Sequence, residues 1–231
     1  WRFLSLLLLS TQIDYVVGAR IGRSEDPRVR KGWLVTSLVA QLGILGYFKY
    51  YNFFVASAAD FLGLLGFQAN PATIDVILPW GISFYTFQTM SYTLDVYRRA
   101  QKPIASWLDF ATFVAFFPQL VAGPIVRAVE FLPQLEGRRD WKKHVDVRAC
   151  LSLFLIGYLK AVLADQVAMA IDPAFLEPAQ SSVWGTWLSM MLFSIQIYGD
   201  FSGYTDMAIA SAGLLGYRLP DNFYYPYLAT N

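Results

Sequence analysis

Five stretches of the chain are apolar over about the length that a lipid bilayer demands of a helix. They cover approximately residues 1–19, 32–66, 75–97, 149–171 and 183–199. The hydrocarbon core of a bilayer is about 30 Å thick, so a spanning helix needs about 20 mostly apolar residues. The pattern therefore predicts an all-α protein, a polytopic transmembrane helical bundle that occupies residues 1–231 as one partial membrane domain.

The composition supports this class and excludes several others. Only 15% of the residues are charged and 56% are hydrophobic, whereas a soluble domain carries about 25% charged residues. The formal net charge of +1 gives no support to a nucleic-acid partner. With one cysteine, Cys150, and one histidine, His144, the chain lacks the residues for an internal disulfide, a thiolate zinc site or a multi-histidine cluster. We therefore expect no metal site and no bound cofactor.

The basic residues predict the orientation of the chain. Of its 18 Lys and Arg, loop 20–31 holds five, loop 98–106 holds three and loop 127–148 holds six, while connections 67–74 and 172–182 hold none. Cytoplasmic loops carry an excess of Lys and Arg. We therefore expect the three basic loops on the cytoplasmic side of a multi-pass membrane protein that is in contact with membrane lipid.

Residues 107–126 form a sixth apolar stretch that is broken by Pro118 and by Gly123-Pro124. The alternation of basic loops with loops that lack Lys and Arg requires this stretch to enter and leave on the same side. Broken backbone at membrane depth is tolerated only where it is buried in protein or lines a wet cavity. The stretch is therefore predicted to be re-entrant, and a broken helix sealed inside a larger bundle is the alternative.

The second apolar stretch is long for a single span. It contains Lys49-Tyr-Tyr-Asn52, a cluster suited to the headgroup layer. One long tilted helix would explain it, and so would a span followed by an interfacial helix.

A polar stripe crosses the third predicted span. Tyr85, Gln88, Tyr92 and Asp95 recur at steps of three and four residues, so a helix places them on one face. Polar groups inside a span must face protein or water. The stripe forms either one wall of a substrate passage or a set of interhelical hydrogen bonds.

A second polar stripe lies in the last apolar stretch and beyond it. Gln196, Asp200 and Tyr204 follow at i, i+4 and i+8 if the helix continues, although Gly199 and Gly203 are expected to interrupt it, and Asp206 comes next. The two aspartates suit an acid/base pair or a cation site, or they accept hydrogen bonds from Tyr, Ser or backbone groups. Lys160, in the middle of the fourth span, either snorkels to the surface or meets an acid on another helix.

Several motifs resemble one known family. Leu78–Arg98 is similar to a signature of bacterial membrane-bound O-acyltransferases, and so is Phe116–Arg127, which contains Pro118, Gly123, Pro124 and Arg127. Gln196–Asp206, together with Leu215–Phe223, is similar to the same group. The resemblance extends over nearly the whole chain and points to the members that acetylate alginate.

The resemblance implies a helical bundle with re-entrant elements around a passage through the bacterial cytoplasmic (inner) membrane. It also implies a cytoplasmic acyl donor, a thioester such as acyl-CoA or an acyl carrier protein. The acceptor it implies is an extracytoplasmic polysaccharide such as alginate, or a periplasmic or extracellular acetyltransferase partner. The family's catalytic histidine is expected in a motif downstream of Asn231, so the resemblance assigns no catalytic residue to residues 1–231 and we expect this part alone to be inactive.

Two other functions fit the same polar spans. A polytopic transporter also has broken helices and polar groups at the midplane, although it would be favoured by inverted repeats, which the sequence lacks. A non-catalytic membrane scaffold that docks partner proteins is the third reading.

Overall fold

The computed structural model describes residues 2–67, 74, 78–79, 81–120, 123–124, 126–135, 145–177, 181–223 and 227. All the regular secondary structure in these residues is helical, which confirms the predicted all-α class. The α-helices are α1 (Arg2–Arg23), α2 (Pro27–Leu45), α3 (Tyr51–Leu64), α4 (Ile82–Tyr97), α5 (Trp107–Val114), α6 (Ala128–Phe131), α7 (Val147–Leu176) and α8 (Val183–Leu214). The chain divides into two compact units, a first of Trp1–Phe116 with Arg127–Leu135 and a second of Phe117–Val126 with Glu136–Asn231.

Polar caps set where several helices begin. The Asp26 carboxylate accepts the backbone N–H of Arg28 at 2.8 Å, directly before Pro27 opens α2. The Asp146 carboxylate accepts the N–H of Ala149 at 3.0 Å at the start of α7. The first N–H groups of a helix have no partner inside the helix, so a side-chain oxygen at this position stabilises the helix start.

The long second apolar stretch is continuously helical. A π-helical turn, Gly46–Tyr50, joins α2 directly to α3. The Lys49 ammonium in this turn donates a hydrogen bond to the Ser83 hydroxyl at 3.2 Å. The run is helical from Pro27 to Leu64, with a π turn at the polar cluster, and both alternatives for this stretch, one tilted span or a span followed by an interfacial helix, stay predictions.

In the first unit α1, α2 and α4 pack together, and aromatic rings join α5 and α6 to them. The ring centroids of Phe110 and Tyr92 lie 4.6 Å apart, and those of Phe131 and Phe116 lie 4.7 Å apart. Buried aromatic pairs of this kind stabilise a core beyond the area that they bury. This packing holds α4, which carries the first polar stripe, in the centre of its unit.

The second unit is built on the long antiparallel pair α7 and α8. These helices have 30 and 32 residues, so each is long enough to cross a bilayer. The sequence placed the end of the last span near residue 199, but α8 continues to Leu214. The expectation that Gly199 and Gly203 interrupt the helix was wrong, for a packing reason given below.

Two of the described helices are both long and apolar enough to cross a membrane. These are Phe3–Arg23, with a mean hydropathy of 1.3, and Val147–Leu176, with 1.8. The other predicted spans stay predictions. In stretch 107–126, α5 ends at Val114, and Pro118 lies in a short 3₁₀ turn, Phe117–Gln119. Re-entry of this stretch from one side of the membrane is likewise still a prediction.

Candidate functional site

The predicted α4 stripe lies in protein rather than on an open surface. Tyr92 is fully buried, and its hydroxyl accepts the backbone N–H of Ile104 at 3.1 Å. Gln88 donates from Nε2 to the carbonyl oxygen of Phe113 at 3.1 Å. Both side chains therefore fix α4 against the chain that follows it, which is the hydrogen-bonding alternative for the stripe.

Tyr85 differs from these two residues. Its side chain is 2% exposed, and its hydroxyl has no hydrogen-bond partner among the residues that the structure describes. Asp95, at the other end of the stripe, is buried near the end of α4. A buried hydroxyl without a partner carries a desolvation cost, so an unpaired hydroxyl in a native protein calls for an explanation. Tyr85 is thus the member of the stripe with an uncommitted donor.

A buried polar cluster behind α4 was missed by the sequence analysis. Asp14 of α1 is fully buried, and its carboxylate accepts hydrogen bonds from the Ser37 hydroxyl at 2.5 Å and from Gln41 Nε2 at 2.9 Å. Gln41 also bonds to Ser10, which donates from its hydroxyl to Oε1 at 2.8 Å. The signal that could have found the cluster is a carboxylate within the first apolar stretch, where ionisable residues are rare.

The second stripe lies along one continuous helix, as its spacing required. Gln196 and Tyr204 are half-buried, while Asp200 is exposed near the middle of α8. A carboxylate at mid-membrane depth costs about 2.5–3.5 kcal/mol on insertion scales. If α8 spans the bilayer, this face must therefore meet water or protein rather than lipid.

Asp206 forms an ion pair with Lys160, the lysine for which the sequence allowed either snorkelling to the surface or pairing with an acid on another helix. Lys160 Nζ of α7 lies 2.6 Å from the Asp206 carboxylate of α8. The lysine side chain is 35% exposed and the aspartate side chain 19%. Lys160 therefore meets an acid on another helix, and Asp206 serves as an ion-pair partner between the two helices.

Glycines bring α7 and α8 into backbone contact at this ion pair. A Cβ atom on Gly203 would lie 2.6 Å from the carbonyl oxygen of Gly157, and one on Gly157 would lie 2.5 Å from that of Gly203. A Cβ atom on Gly199 would lie 3.0 Å from the Cβ atom of Ala164. Small residues four apart allow membrane helices to approach closely. Gly199 and Gly203 thus act as packing positions within α8, and the packing compensates for their low helix propensity.

The motif of the predicted re-entrant stretch is divided between the two units. In the second unit, Pro118, Gly123 and Pro124 are buried. A Cβ on Gly123 would lie 2.5 Å from Cα of Gln119, so only glycine fits there. In the first unit, Arg127 is exposed, and its carbonyl oxygen accepts the N–H of Glu130 at 3.0 Å at the start of α6.

The remaining predictions concern loops and ligands. Loops 20–31 and 98–106 meet in the first unit, where the Arg99 guanidinium pairs with Glu25 and raises the acidity of that carboxyl, lowering its pKa. Residues 136–144 of loop 127–148, including His144, lie outside the described residues. In the described part of the chain, His, Cys, Asp and Glu nowhere gather in a group of three that could hold a metal ion.

Comparison with known proteins places this chain in a family. A family model for membrane-bound O-acyltransferases matches residues 98–230. The chain belongs to the membrane-bound O-acyltransferase family. The resemblance in its motifs is thereby confirmed, and the match contains the α8 stripe together with both residues of the Lys160–Asp206 pair.

Individual relatives extend the similarity to the whole chain. The chain is 38% identical over 234 aligned residues to the probable alginate O-acetylase AlgI of Pseudomonas aeruginosa, covering 99% of this chain and 44% of that protein. It is 33% identical to the peptidoglycan O-acetyltransferase of Helicobacter pylori, covering 100% of this chain and 48% of that protein. The teichoic acid D-alanyltransferase of Bacillus subtilis is 27% identical over 65% of this chain and 39% of its own length. The chain thus spans about half the length of the first two relatives.

Proposed function

We propose that this chain forms part of a membrane O-acyltransferase that moves an acyl group across the cytoplasmic membrane to an extracytoplasmic polysaccharide. The observation that carries the proposal is the 38% identity over 99% of the chain to a protein named for alginate O-acetylation. Two further relatives are named for acyl transfer to peptidoglycan and to teichoic acid. Acetyl is the acyl group we propose, because the more similar relatives are named for acetylation, and alginate is the acceptor we would try first.

The donor and the partners belong to the same proposal. A cytoplasmic thioester, acyl-CoA or an acyl carrier protein, supplies the acyl group. An extracytoplasmic acetyltransferase partner or the polysaccharide itself receives it. The family resemblance implies a histidine beyond Asn231 that acts as the general base on the acceptor or as a transient nucleophile. This chain then supplies part of the passage and of the surface that faces the donor.

Two features of the described residues suit that role. The Tyr85 hydroxyl is buried and has no hydrogen-bond partner among the described residues, so it is available to donate to a developing oxyanion. The exposed Asp200, midway along α8 with Gln196 and Tyr204 on the same face, suits the wall of a wet passage. By contrast, Gln88, Tyr92 and Asp206 already have protein partners, so we assign them to holding the helices together.

The proposal is tested on the full-length protein in bacterial membranes. Membranes are supplied with acetyl-labelled thioester and alginate, and label on the polymer is measured against a variant in which the downstream motif histidine is replaced by alanine. Label that depends on the histidine is expected. Absence of label with every thioester, from a folded protein, would refute the acyltransferase and leave the transporter or the scaffold.

The role of Tyr85 has its own test with a matched control. Tyr85→Phe is expected to lower the initial rate of acetyl transfer about tenfold or more, because it removes one donor to the oxyanion. Its unfolding temperature should not fall, since the lost hydroxyl has no partner among the described residues. Tyr47→Phe makes the same change at an exposed position of the π turn and should preserve the rate. Equal rates of acetyl transfer for the two variants would refute a role for the Tyr85 hydroxyl in the passage.

A further inference from the structure

A pocket of about 270 Å³ opens in the first unit between the end of α1, the start of α2 and the loop that follows α4. Its wall contains three cationic side chains, Arg30, Arg99 and Lys102, and one carboxylate, Glu25. The pocket is formed by the meeting of two loops that the positive-inside rule predicts to be cytoplasmic. It involves none of the residues that we propose for acyl transfer.

Arg30 is a fixed positive charge in this wall. Its guanidinium donates to the carbonyl oxygens of Val96 and Tyr97 at the end of α4. The guanidinium carbon also lies 5.5 Å from the centre of the Tyr97 ring. The side chain is thus positioned by its contacts with the end of α4, and it gives the pocket wall a fixed positive charge.

Arg99 already binds a carboxylate, that of Glu25, in the lining of the pocket. Its backbone has a φ of 62°, a left-handed conformation that is uncommon for a residue other than glycine. Its guanidinium pairs with the Glu25 carboxylate at 2.5 Å, although the two side chains are 59% and 83% exposed. Exposed ion pairs are weak. A stronger anion can therefore take the place of the Glu25 carboxylate without loss of the fold.

Close packing shapes the wall between the two loops. A Cβ atom on Gly22 would lie 1.9 Å from Cγ of Pro103, so α1 and the loop after α4 touch where only glycine fits. Gly22 and Pro103 both line the pocket. The backbone that carries the cationic side chains is therefore closely packed. This preorganisation lowers the entropic cost of ordering the pocket around a ligand.

We propose that this pocket binds a phosphate group, and that the phosphate is carried by the headgroup of an anionic phospholipid. Arginine forks and lysine ammonium groups are the usual partners of phosphate oxygens. The volume of about 270 Å³ suits a headgroup rather than a whole drug-sized ligand. Basic loops next to membrane helices attract the anionic lipids of the cytoplasmic leaflet. A free phosphate offers the same chemistry, and the experiment separates the two sources.

The test measures lipid binding to the delipidated full-length protein in detergent. Dissociation constants are determined for phosphatidylglycerol and for phosphatidylcholine, whose headgroup has no net charge. A double variant, Arg99→Gln with Lys102→Gln, removes two pocket cations. The matched control, Arg23→Gln with Arg98→Gln, removes two exposed cations of the same loops that do not line the pocket.

The pocket variant should raise the dissociation constant of phosphatidylglycerol about tenfold or more, the loss expected for charge-assisted hydrogen bonds, and the control should change it less than about twofold. Glu25→Gln removes the competing carboxylate and should tighten binding, so the proposal is tested even if the double variant unfolds. Competition by millimolar inorganic phosphate would identify a soluble phosphate as the ligand, and resistance to it would identify the lipid. Equal weakening by pocket and control variants, or none by either, would overturn the site.

Discussion

The contact between α7 and α8 makes a quantitative prediction for Gly203→Ala. The added methyl would lie 2.6 Å from the carbonyl oxygen of Gly157, whereas ordinary contact begins near 3.4 Å. The two helices must therefore separate by about 0.8 Å at this point, because a backbone oxygen has no rotamer to change. Overpacking of this kind costs about 1–3 kcal/mol, against a gain of at most about 1 kcal/mol in helix propensity.

The prediction is measured as the unfolding free energy of the full-length protein in detergent. Gly203→Ala should destabilise it, and so should Gly157→Ala, whose methyl would lie 2.5 Å from the carbonyl oxygen of Gly203. The double variant should cost less than the sum of the two, because one separation of the helices relieves both clashes. Gly43→Ala in α2 is the matched control, since its methyl would meet nothing within 4 Å, and it should be neutral or stabilising. A Gly203→Ala protein as stable as the Gly43→Ala protein would refute the close contact.

Three further predictions concern charged groups. Lys160→Met should destabilise the protein by about 1–3 kcal/mol, since it leaves Asp206 without its cation, and adding Asp206→Leu should restore much of the loss in thermal unfolding. Asp14→Leu should cost about 2–3 kcal/mol by leaving buried donors unpaired, whereas Asp14→Asn, which keeps an acceptor, should cost less in the same assay. Because Arg99 lowers the pKa of Glu25, their pairing stabilises the fold above the ordinary glutamate range and is lost as the pH falls through the lowered value. A Glu25→Gln protein should therefore match the wild type in stability at low pH and at high salt, and a difference that persists there would contradict this account.

The class of fold could be predicted because it depends on long-range averages. Apolar stretches of bilayer length and the shortage of charges suffice to predict an all-α membrane protein. Spacing alone placed Gln196, Asp200 and Tyr204 on one face of a helix. These properties follow from the helical period and the composition, so no knowledge of the tertiary contacts was needed.

Pairing between elements could not be predicted in the same way. The bond from Lys160 to Asp206 depends on how α7 and α8 are aligned, and the sequence leaves that alignment open. Gly199 and Gly203 favour a helix break when only local propensity is considered, but they are the contact points that permit the packing. Tertiary contact overrides propensity here, as it often does in membrane helices.

The candidate site was predictable only in part for a related reason. The α4 stripe was correctly placed on a helix. Its spacing does not distinguish a hydroxyl that is bonded to protein, as in Tyr92, from one that has no partner among the described residues, as in Tyr85. Asp14 could not be assigned to a cluster from the sequence, because the first apolar stretch has the pattern of a simple span. The buried partners of Asp14 come from a different helix, so the cluster emerges only when α1 and α2 are packed together.

The measurement that tests the central claim most directly is the sidedness of acetyl transfer. The full-length protein is reconstituted into sealed vesicles, with labelled acetyl thioester added to the cytoplasmic face and alginate enclosed on the opposite face. The account predicts label on the enclosed polymer, which disappears when the downstream histidine is changed to alanine and falls with Tyr85→Phe. Label that appears only when donor and acceptor share one side of the membrane would contradict transfer through a passage.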